Sequence, residues 1–371
     1  MNIIIIKDKL KEGLDIISRA SGEHPTLPIL RNVLIEAKDG VISLVATNLE
    51  IGLRCRVAGK VEKEGSVTVP AALLSQVVMN LSDERVALKA EGAALEVITD
   101  SYKGSIQGSP AEEFPSLPKI ENTREVIEME AGVLRAGIES VLSAAQFSEL
   151  RPELSSVFFQ LLGDKIVLVA TDSFRLAEKT LADNQFTSSV DDEFKVLLPL
   201  RTAQELARTL KDKGQVKIYH DPGQMLFSTE KMELISRLLE GTFPDYRAVV
   251  PKEYQAEVAV DRDEFVNAVK LTGVMSGSAA EIVVRPAAGK AEAIEVFSRD
   301  EKLGENSTRV PAKMKGSFRE ANFNWKYLLD GAKIMPPKEF VFAVNDDNKP
   351  AILKSRQDAS FFYILMPILK G

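Results

Sequence analysis

Apolar residues recur along the chain at two spacings. Leu10, Leu14 and Ile17 fall at i, i+4 and i+7, the spacing of one helix face, and Val133, Ile138 and Leu142 repeat the theme in a later segment. Leu200, Ala203, Leu206, Ala207 and Leu210 form another stripe, and Phe265, Val266 and Val269 a shorter one. The pattern predicts six helices, within residues 7–19, 70–82, 131–145, 199–213, 262–277 and 324–338. Short runs rich in β-branched residues predict strands between them, among them Ile3–Ile6, Val126–Met129 and Glu257–Val260. Asp39-Gly40 and Gly163-Asp164 mark tight turns. Pro70 and Pro199 are expected in the first turn of the helices they precede, where a missing N–H has no partner to lose.

The same order of elements returns three times. VISLVATNLE at 41–50 is echoed by KIVLVATDSF at 165–174, so that Thr47 and Thr171 stand 124 positions apart, a third of the 371 residues. Phe114-Pro115-Ser116-Leu117 returns 129 positions later as Phe243-Pro244-Asp245-Tyr246. Val67-Thr68-Val69-Pro70 with AALLSQVVMNL parallels Val196-Leu197-Leu198-Pro199 with LRTAQELARTL. A third copy is expected from the strand at Glu257–Val260, the segment Ile294–Asp300 in the slot of the LVATD strand, and ANFNWKYLLDGAKIM at 321–335 in the slot of the second helix. Each copy places two helices on one face of antiparallel strands, an α+β layer. Proline-marked junctions at Pro115–Pro118 and Pro244–Pro251 divide the chain into expected domains 1–122, 123–251 and 252–371.

Composition narrows the class. Apolar residues make up 45% and charged residues 27%, and mean hydropathy is −0.04, the profile of a folded globular chain. Cys55 is the one cysteine and the histidines are His24 and His220, which leaves no disulfide framework and no Cys/His zinc cluster. The apolar run Asn2–Ile6 stops at Lys7, short of a signal-peptide core or a membrane span, so a soluble cytoplasmic protein without cofactor or metal is expected.

Charge is unevenly placed. The net charge is −7, yet the six expected helical segments together carry +5, which leaves −12 elsewhere. On the fourth, Arg201, Gln204, Arg208 and Lys211 follow i, i+3, i+7, i+10, apart from the apolar stripe. Helices of this kind lining a concave surface suit a phosphate backbone inside an otherwise acidic protein, bound without base readout.

Four further motifs carry a family resemblance: Ala170-Thr171-Asp172-Ser173-Phe174-Arg175-Leu176-Ala177; Pro25-Thr26-Leu27-Pro28-Ile29-Leu30 with Asn32; Gly241-Thr242-Phe243-Pro244-Asp245-Tyr246-Arg247; and Tyr363-Ile364-Leu365-Met366-Pro367-Ile368. Spread over the whole chain in order, they resemble the bacterial sliding clamp, the β subunit of the replicative DNA polymerase. The resemblance implies a head-to-tail homodimer closed into a ring. Helices would line the hole, an antiparallel sheet would form the outer band, and double-stranded DNA would be encircled without sequence preference. It implies a cleft for peptide segments of the replicative polymerase alpha subunit, the clamp loader and other proteins bearing a clamp-binding motif. The matching cleft positions are Leu154, Thr171, Phe174, Arg175, Leu176, Pro244, Arg247, Val249, Ile364, Met366, Pro367 and Ile368. For DNA they are His24, Arg151, Arg201 and Arg247, joined by Arg19, Arg208, Lys211, Lys270 and Lys333. For the dimer interface they are Ile106, Val274 and Met275, expected as an apolar pairing left exposed in a single copy. His24 replaces a common arginine, and Pro70-Ala71-Ala72-Leu73 lacks a basic residue often found there, departures that imply a weaker phosphate grip in the first domain.

Enzyme motifs are missing. Gly59-Lys60 and Gly289-Lys290 run into valine and alanine rather than the Ser/Thr of a phosphate loop, and neither a G-x-S-x-G elbow nor H-E-x-x-H occurs. Asp172 suits a strand-end turn better than a catalytic acid, and Asp191-Asp192 and Asp346-Asp347 suit solvated loops. The competing non-enzymatic reading is a repeat-built interaction scaffold that encloses no nucleic acid.

Overall fold

The computed structural model describes residues 1–20, 27–289, 292–345 and 349–369; His24 and the Asp346-Asp347 pair lie outside the described residues. The first repeat runs β1 (Asn2–Ile6), α1 (Lys7–Ile17), β2 (Asn32–Lys38), β3 (Val41–Thr47), β4 (Ile51–Val57), β5 (Gly59–Lys63), β6 (Gly65–Pro70), α2 (Ala71–Asn80), β7 (Arg85–Glu91), β8 (Ala94–Ile98) and β9 (Lys103–Gln107). The second runs β10 (Ile127–Glu130), α3 (Ala131–Leu142), β11 (Ser156–Leu162), β12 (Lys165–Thr171), β13 (Arg175–Ala182), β14 (Phe186–Ser188), β15 (Phe194–Pro199), α4 (Leu200–Thr209), β16 (Gln215–Asp221), β17 (Gln224–Ser228) and β18 (Met232–Arg237). The third runs β19 (Ala256–Asp261), α5 (Arg262–Gly273), β20 (Glu281–Pro286), β21 (Ala293–Asp300), β22 (Gly304–Gly316), β23 (Ala321–Asn324), α6 (Trp325–Ile334), β24 (Glu339–Val344), β25 (Ala351–Lys354) and β26 (Phe361–Leu365).

The repetition reaches single hydrogen bonds. Thr47 Oγ1 donates to the Ile51 carbonyl at 2.9 Å, while the Glu50 and Ile51 amides donate to Asn48 Oδ1. In the second repeat Thr171 Oγ1 donates to the Arg175 carbonyl at 2.7 Å, while the Phe174 and Arg175 amides donate to Asp172 Oδ1. Leu49 and Ser173 share the left-handed backbone these turns demand, with φ of 74° and 77°. In the third, Asp300 Oδ1 accepts from the Lys302 and Leu303 amides. The expected third copy is thus in place, down to an acceptor closing the same strand-end turn.

The third repeat differs in one respect. Where the first two break the chain between β4 and β5, or β13 and β14, β22 runs unbroken for 13 residues and changes partner midway, pairing first with β21 and then with β19. Pro311 sits at the change, where its missing N–H costs the ladder least.

The helices match the expected six, each shorter at its C-terminal end. Leu10, Leu14 and Ile17 are buried as the spacing predicts. On α3 the buried stripe is Leu134, Ile138 and Val141; Val133 and Leu142 are half-buried, a correction of one position on the helical wheel. Pro70 and Pro199 end β6 and β15 and precede the first helical turn rather than entering it. The equivalent Asn324 caps α6 by accepting from the Lys326 amide. Lys211 falls beyond the end of α4, so the basic stripe on the helix itself is Arg201, Gln204 and Arg208.

Contacts divide the chain into two compact units. One comprises Met1–Arg135, Asn184–Asp191 and Glu205–Leu238, the other Ala136–Asp183, Asp192–Gln204 and Leu239–Gly371. The first holds the sheet β5-β1-β7-β8-β9 and the sheet β14-β10-β16-β17-β18-β4-β3-β2-β6; the second holds the twelve-stranded sheet from β15 to β23. Within the first unit the last strand of repeat two, β18, pairs with β4; within the second, β26 pairs with β13. The two joins are alike. Among the described residues no helix is long and apolar enough to cross a membrane.

Candidate functional site: an apolar trough and its basic neighbours

In the second unit, the turn between β12 and β13 builds the candidate peptide site. Asp172 holds the turn closed through its Oδ1, and Ser173 in the left-handed region swings the next side chain outward, so that Phe174 is 59% exposed. The Phe174 carbonyl accepts from the Met366 amide at 2.8 Å, which extends the β13–β26 ladder past its formal end. Two residues on, the Ile368 amide donates to the Asn322 carbonyl at 2.8 Å. The segment Met366-Pro367-Ile368 is therefore docked at both ends by backbone hydrogen bonds.

The expected cleft residues divide by depth. Leu154, Thr171, Leu176 and Ile364 are buried; Phe174, Val249 and Met366 are exposed; Pro244, Pro367 and Ile368 are half-buried. Beneath the linker, Phe243 and Tyr246 pack with Phe158, Val169, Leu176 and Ile364, fixing the segment that carries Pro244 and Val249.

Arg175 is placed differently from a trough wall. Its Nε donates to Asp172 Oδ2 at 2.9 Å, its Nη1 to Asp330 Oδ2 on α6 at 2.7 Å, and its guanidinium lies 4.2 Å from the centre of the Tyr327 ring. Burial opposes its charge, but Tyr363, Asp330 and Asp172 outweigh that and raise its pKa. Arg175 is a positioning residue that braces the turn against α6. Asp330 and Tyr327 escape the sequence reading because no local motif marks them; they lie 155 and 152 positions from Arg175. Asn322 escapes it too: its Nδ2 donates to Glu281 at 2.8 Å, while its buried Oδ1 has no hydrogen-bond partner among the described residues.

The basic residues are exposed and partly engaged. Arg151 bonds Glu153 and donates to Ser173 Oγ at 3.1 Å, which sets it against the turn that carries Phe174. The Arg201 guanidinium stands 5.9 Å from the Phe147 ring centre, and Arg247 stands 5.9 Å from that of Tyr246. Arg208 pairs with Glu205 at 3.0 Å and Lys211 with Glu12. Arg19, Lys270 and Lys333 are exposed on or beside α1, α5 and α6, and Ala72 is exposed on the uncharged α2.

Of the interface residues, Val274 is 72% exposed and Met275 half-buried. Ile106 is not exposed. Its side chain is 5% accessible, turned into its own repeat because alternate residues of β9 face the core, so β9 offers its backbone edge rather than an apolar side chain. The sequence reading misses Leu271, 61% exposed three positions before Val274 on the face of α5 opposite Phe265 and Val269.

Three copies of a two-helix, two-sheet unit, joined strand to strand, define the sliding-clamp class. The description "DNA polymerase III beta subunit, N-terminal domain" fits residues 1–118, the central-domain description fits 128–245 and the C-terminal-domain description fits 247–369. The beta sliding clamp of Synechococcus elongatus is 30% identical over 377 aligned residues, covering 99% of both chains, and that of Bacillus subtilis is 26% identical over 379. The DNA polymerase III beta subunit of Thermotoga maritima superposes over the full length of both chains with a TM-score of 0.90 at 26% identity. The sliding clamp of Bartonella birtlesii, solved with griselimycin bound, does so with 0.91 at 28%. The chain belongs to the DNA polymerase III beta subunit family, the bacterial beta sliding clamps of DNA replication. A sliding clamp is a non-catalytic processivity factor.

Proposed function

We propose that two copies of this chain close head to tail into a ring of repeats with limits at 1–122, 123–251 and 252–371. The ring encircles duplex DNA in the cytoplasm, slides on it, and tethers the replicative polymerase alpha subunit. The trough around Phe174, Val249 and Met366 receives extended peptides from that polymerase, from the clamp loader and from other proteins carrying a clamp-binding segment.

An unfinished series of joins carries this reading. The last strand of repeat two pairs with β4, and the last strand of repeat three pairs with β13. The last strand of repeat one, β9, is paired only with β8 among the described residues, and residues 304–311 of β22, in the place of β4 and β13, are paired only with β21. A third join of the same kind then needs a second copy, and a head-to-tail contact that closes gives a ring in which the β9 and β22 edges are paired. Leu271 and Val274 supply apolar area for it, with Met275 beside them; Ile106 backs the β9 edge from within.

Weak, salt-sensitive contacts suit sliding. Arg19, Arg151, Arg201, Arg208, Lys211 and Arg247, with His24, Lys270 and Lys333, meet phosphates that carry no sequence information. The test is retention on DNA after loading. The clamp is expected to stay on closed circular DNA and to leave linear DNA through its free ends. Equal retention on both overturns the proposal.

A further inference from the structure

Each strand-end turn closes on a residue whose amide donates to the acceptor three positions back: Ile51 to Asn48, Arg175 to Asp172 and Leu303 to Asp300. The second helix of each repeat opens after Pro70, Pro199 or Asn324, so its third residue is Leu73, Thr202 or Tyr327. Four of these six equivalent positions are withdrawn from solvent: Ile51 and Thr202 are buried, Arg175 and Tyr327 half-buried. The other two stand out, Leu303 at 55% exposed and Leu73 at 44%.

Within the second unit, Arg175 and Tyr327 show what the two positions do for each other. The guanidinium lies 4.2 Å from the centre of the Tyr327 ring, beside the β13–β26 join, and its Nη1 reaches Asp330, the sixth residue of α6. The remaining set has lost all three partners together: Leu303 stands for Arg175, Leu73 for Tyr327 and Gln76 for Asp330. An arginine lost alone would strand its aspartate. Here the ionic pair is gone from both sides, and a leucine has come to each. A single exposed leucine is ordinary on a protein surface, but these two fall on matching sides of one repeated contact.

We infer that Leu303 of one copy packs on Leu73 of a second copy, so that the opening turns of α2 belong to the surface that closes the ring. The inference rests on the ring proposed above and gives its third join a register. Ile106, Ile235 and Ile364 recur at intervals of 129 residues. In their joins Ile235 faces Gly52 and Ile364 faces Leu176, while the next residues, Ser236 and Leu365, face Ile51 and Arg175. In the third join Ile106 of one copy therefore faces Gly304 of the other, and Gln107 faces Leu303. Leu303 then stands toward α2 of the second copy as Arg175 stands toward α6. Burial removes both leucines from water, and an apolar contact is not screened by salt as the ionic bracket it replaces would be.

The experiment uses the full-length chain with Cys55→Ala, which removes its one thiol. Leu73→Cys and Leu303→Cys are introduced singly and together, treated with a short bismaleimide and separated under denaturing conditions. The chain carrying both is expected to yield covalent dimers. Either single variant stays at the mass of one chain, because like positions lie apart in a head-to-tail pair. Leu73→Asp and Leu303→Asp, each alone, are expected to weaken dimerisation by about tenfold or more, since each puts a charge into an apolar contact. Light scattering reads the dimer and circular dichroism checks the fold. A dimeric double-cysteine chain that forms no link between copies, or dimerisation undiminished in both folded aspartate variants, overturns the inference and leaves the ring standing. A monomeric wild type overturns both.

Discussion

Arg175 shows how much one side chain can carry. Asp172, whose side chain is 2% exposed, pairs with that guanidinium, and the same group reaches Asp330 on α6. Removing one member of such a buried pair strands the other, so Arg175→Ala is expected to cost about 3–5 kcal/mol, read as a fall in the urea midpoint. Arg175→Lys keeps the charge but not the two-pronged fork and should fall between. An alanine variant as stable as wild type would remove the bracing role. Cys55 makes the opposite case, a reactive group made inert. Burial, with a smaller push from Glu12, raises its thiol from 9.0 to about 11. At about pH 8 iodoacetamide should therefore modify it far more slowly in the native protein than in urea. Because the folded value is the higher one, the stability linked to this thiol is whole below pH 9.0 and is lost as pH rises through about 11. A Cys55→Ala variant should lack that part of the alkaline decline in the denaturation midpoint.

At the scale of elements, α4 and α5 use one face for the core and leave another exposed. On α4 the buried stripe Thr202, Ala203 and Leu206 leaves Arg201, Gln204 and Arg208 outward. Reversing Arg201 and Arg208 to glutamate is expected to weaken DNA association most at low salt. The slope of log affinity against log salt should then shrink by about 0.9 for each phosphate that is no longer neutralised. An unchanged slope would take α4 off the DNA. The elements are legible because periodicity is a local property: all six helices and the strand-end turns at Thr47 and Thr171 can be read from short windows. Boundaries are less so. Helix ends depend on capping and on the strand that follows, which is why Lys211 lies past α4 and Pro70 lies before α2. The α3 core stripe differs by one position from its expected place because the same window also offers Val133 and Leu142 as apolar residues, and only packing chooses between them.

At the scale of the molecule, the strand edges left by β9 and β22 and the exposed Leu271 and Val274 point to one measurement. The native mass is expected to be twice 40.8 kDa, and Leu271→Asp with Val274→Asp should bring it to once that value in light scattering. A monomeric wild type, or a variant that still dimerises, would count against the ring. The chain by itself determined the threefold repeat, the α+β unit, the motif residues of the trough and the uneven placement of charge, because each is written in spacing or in a short run of neighbours. It did not determine which of those residues face a partner. Arg175 is tied to Asp172 and Asp330 and Ile106 is buried in its own repeat, while Leu271 stands exposed. That choice belongs to the tertiary structure, since burial and pairing are settled between residues distant in sequence, as Arg175 meets Asp330 across 155 positions and Asn322 meets Glu281 across 41, where no short window reaches.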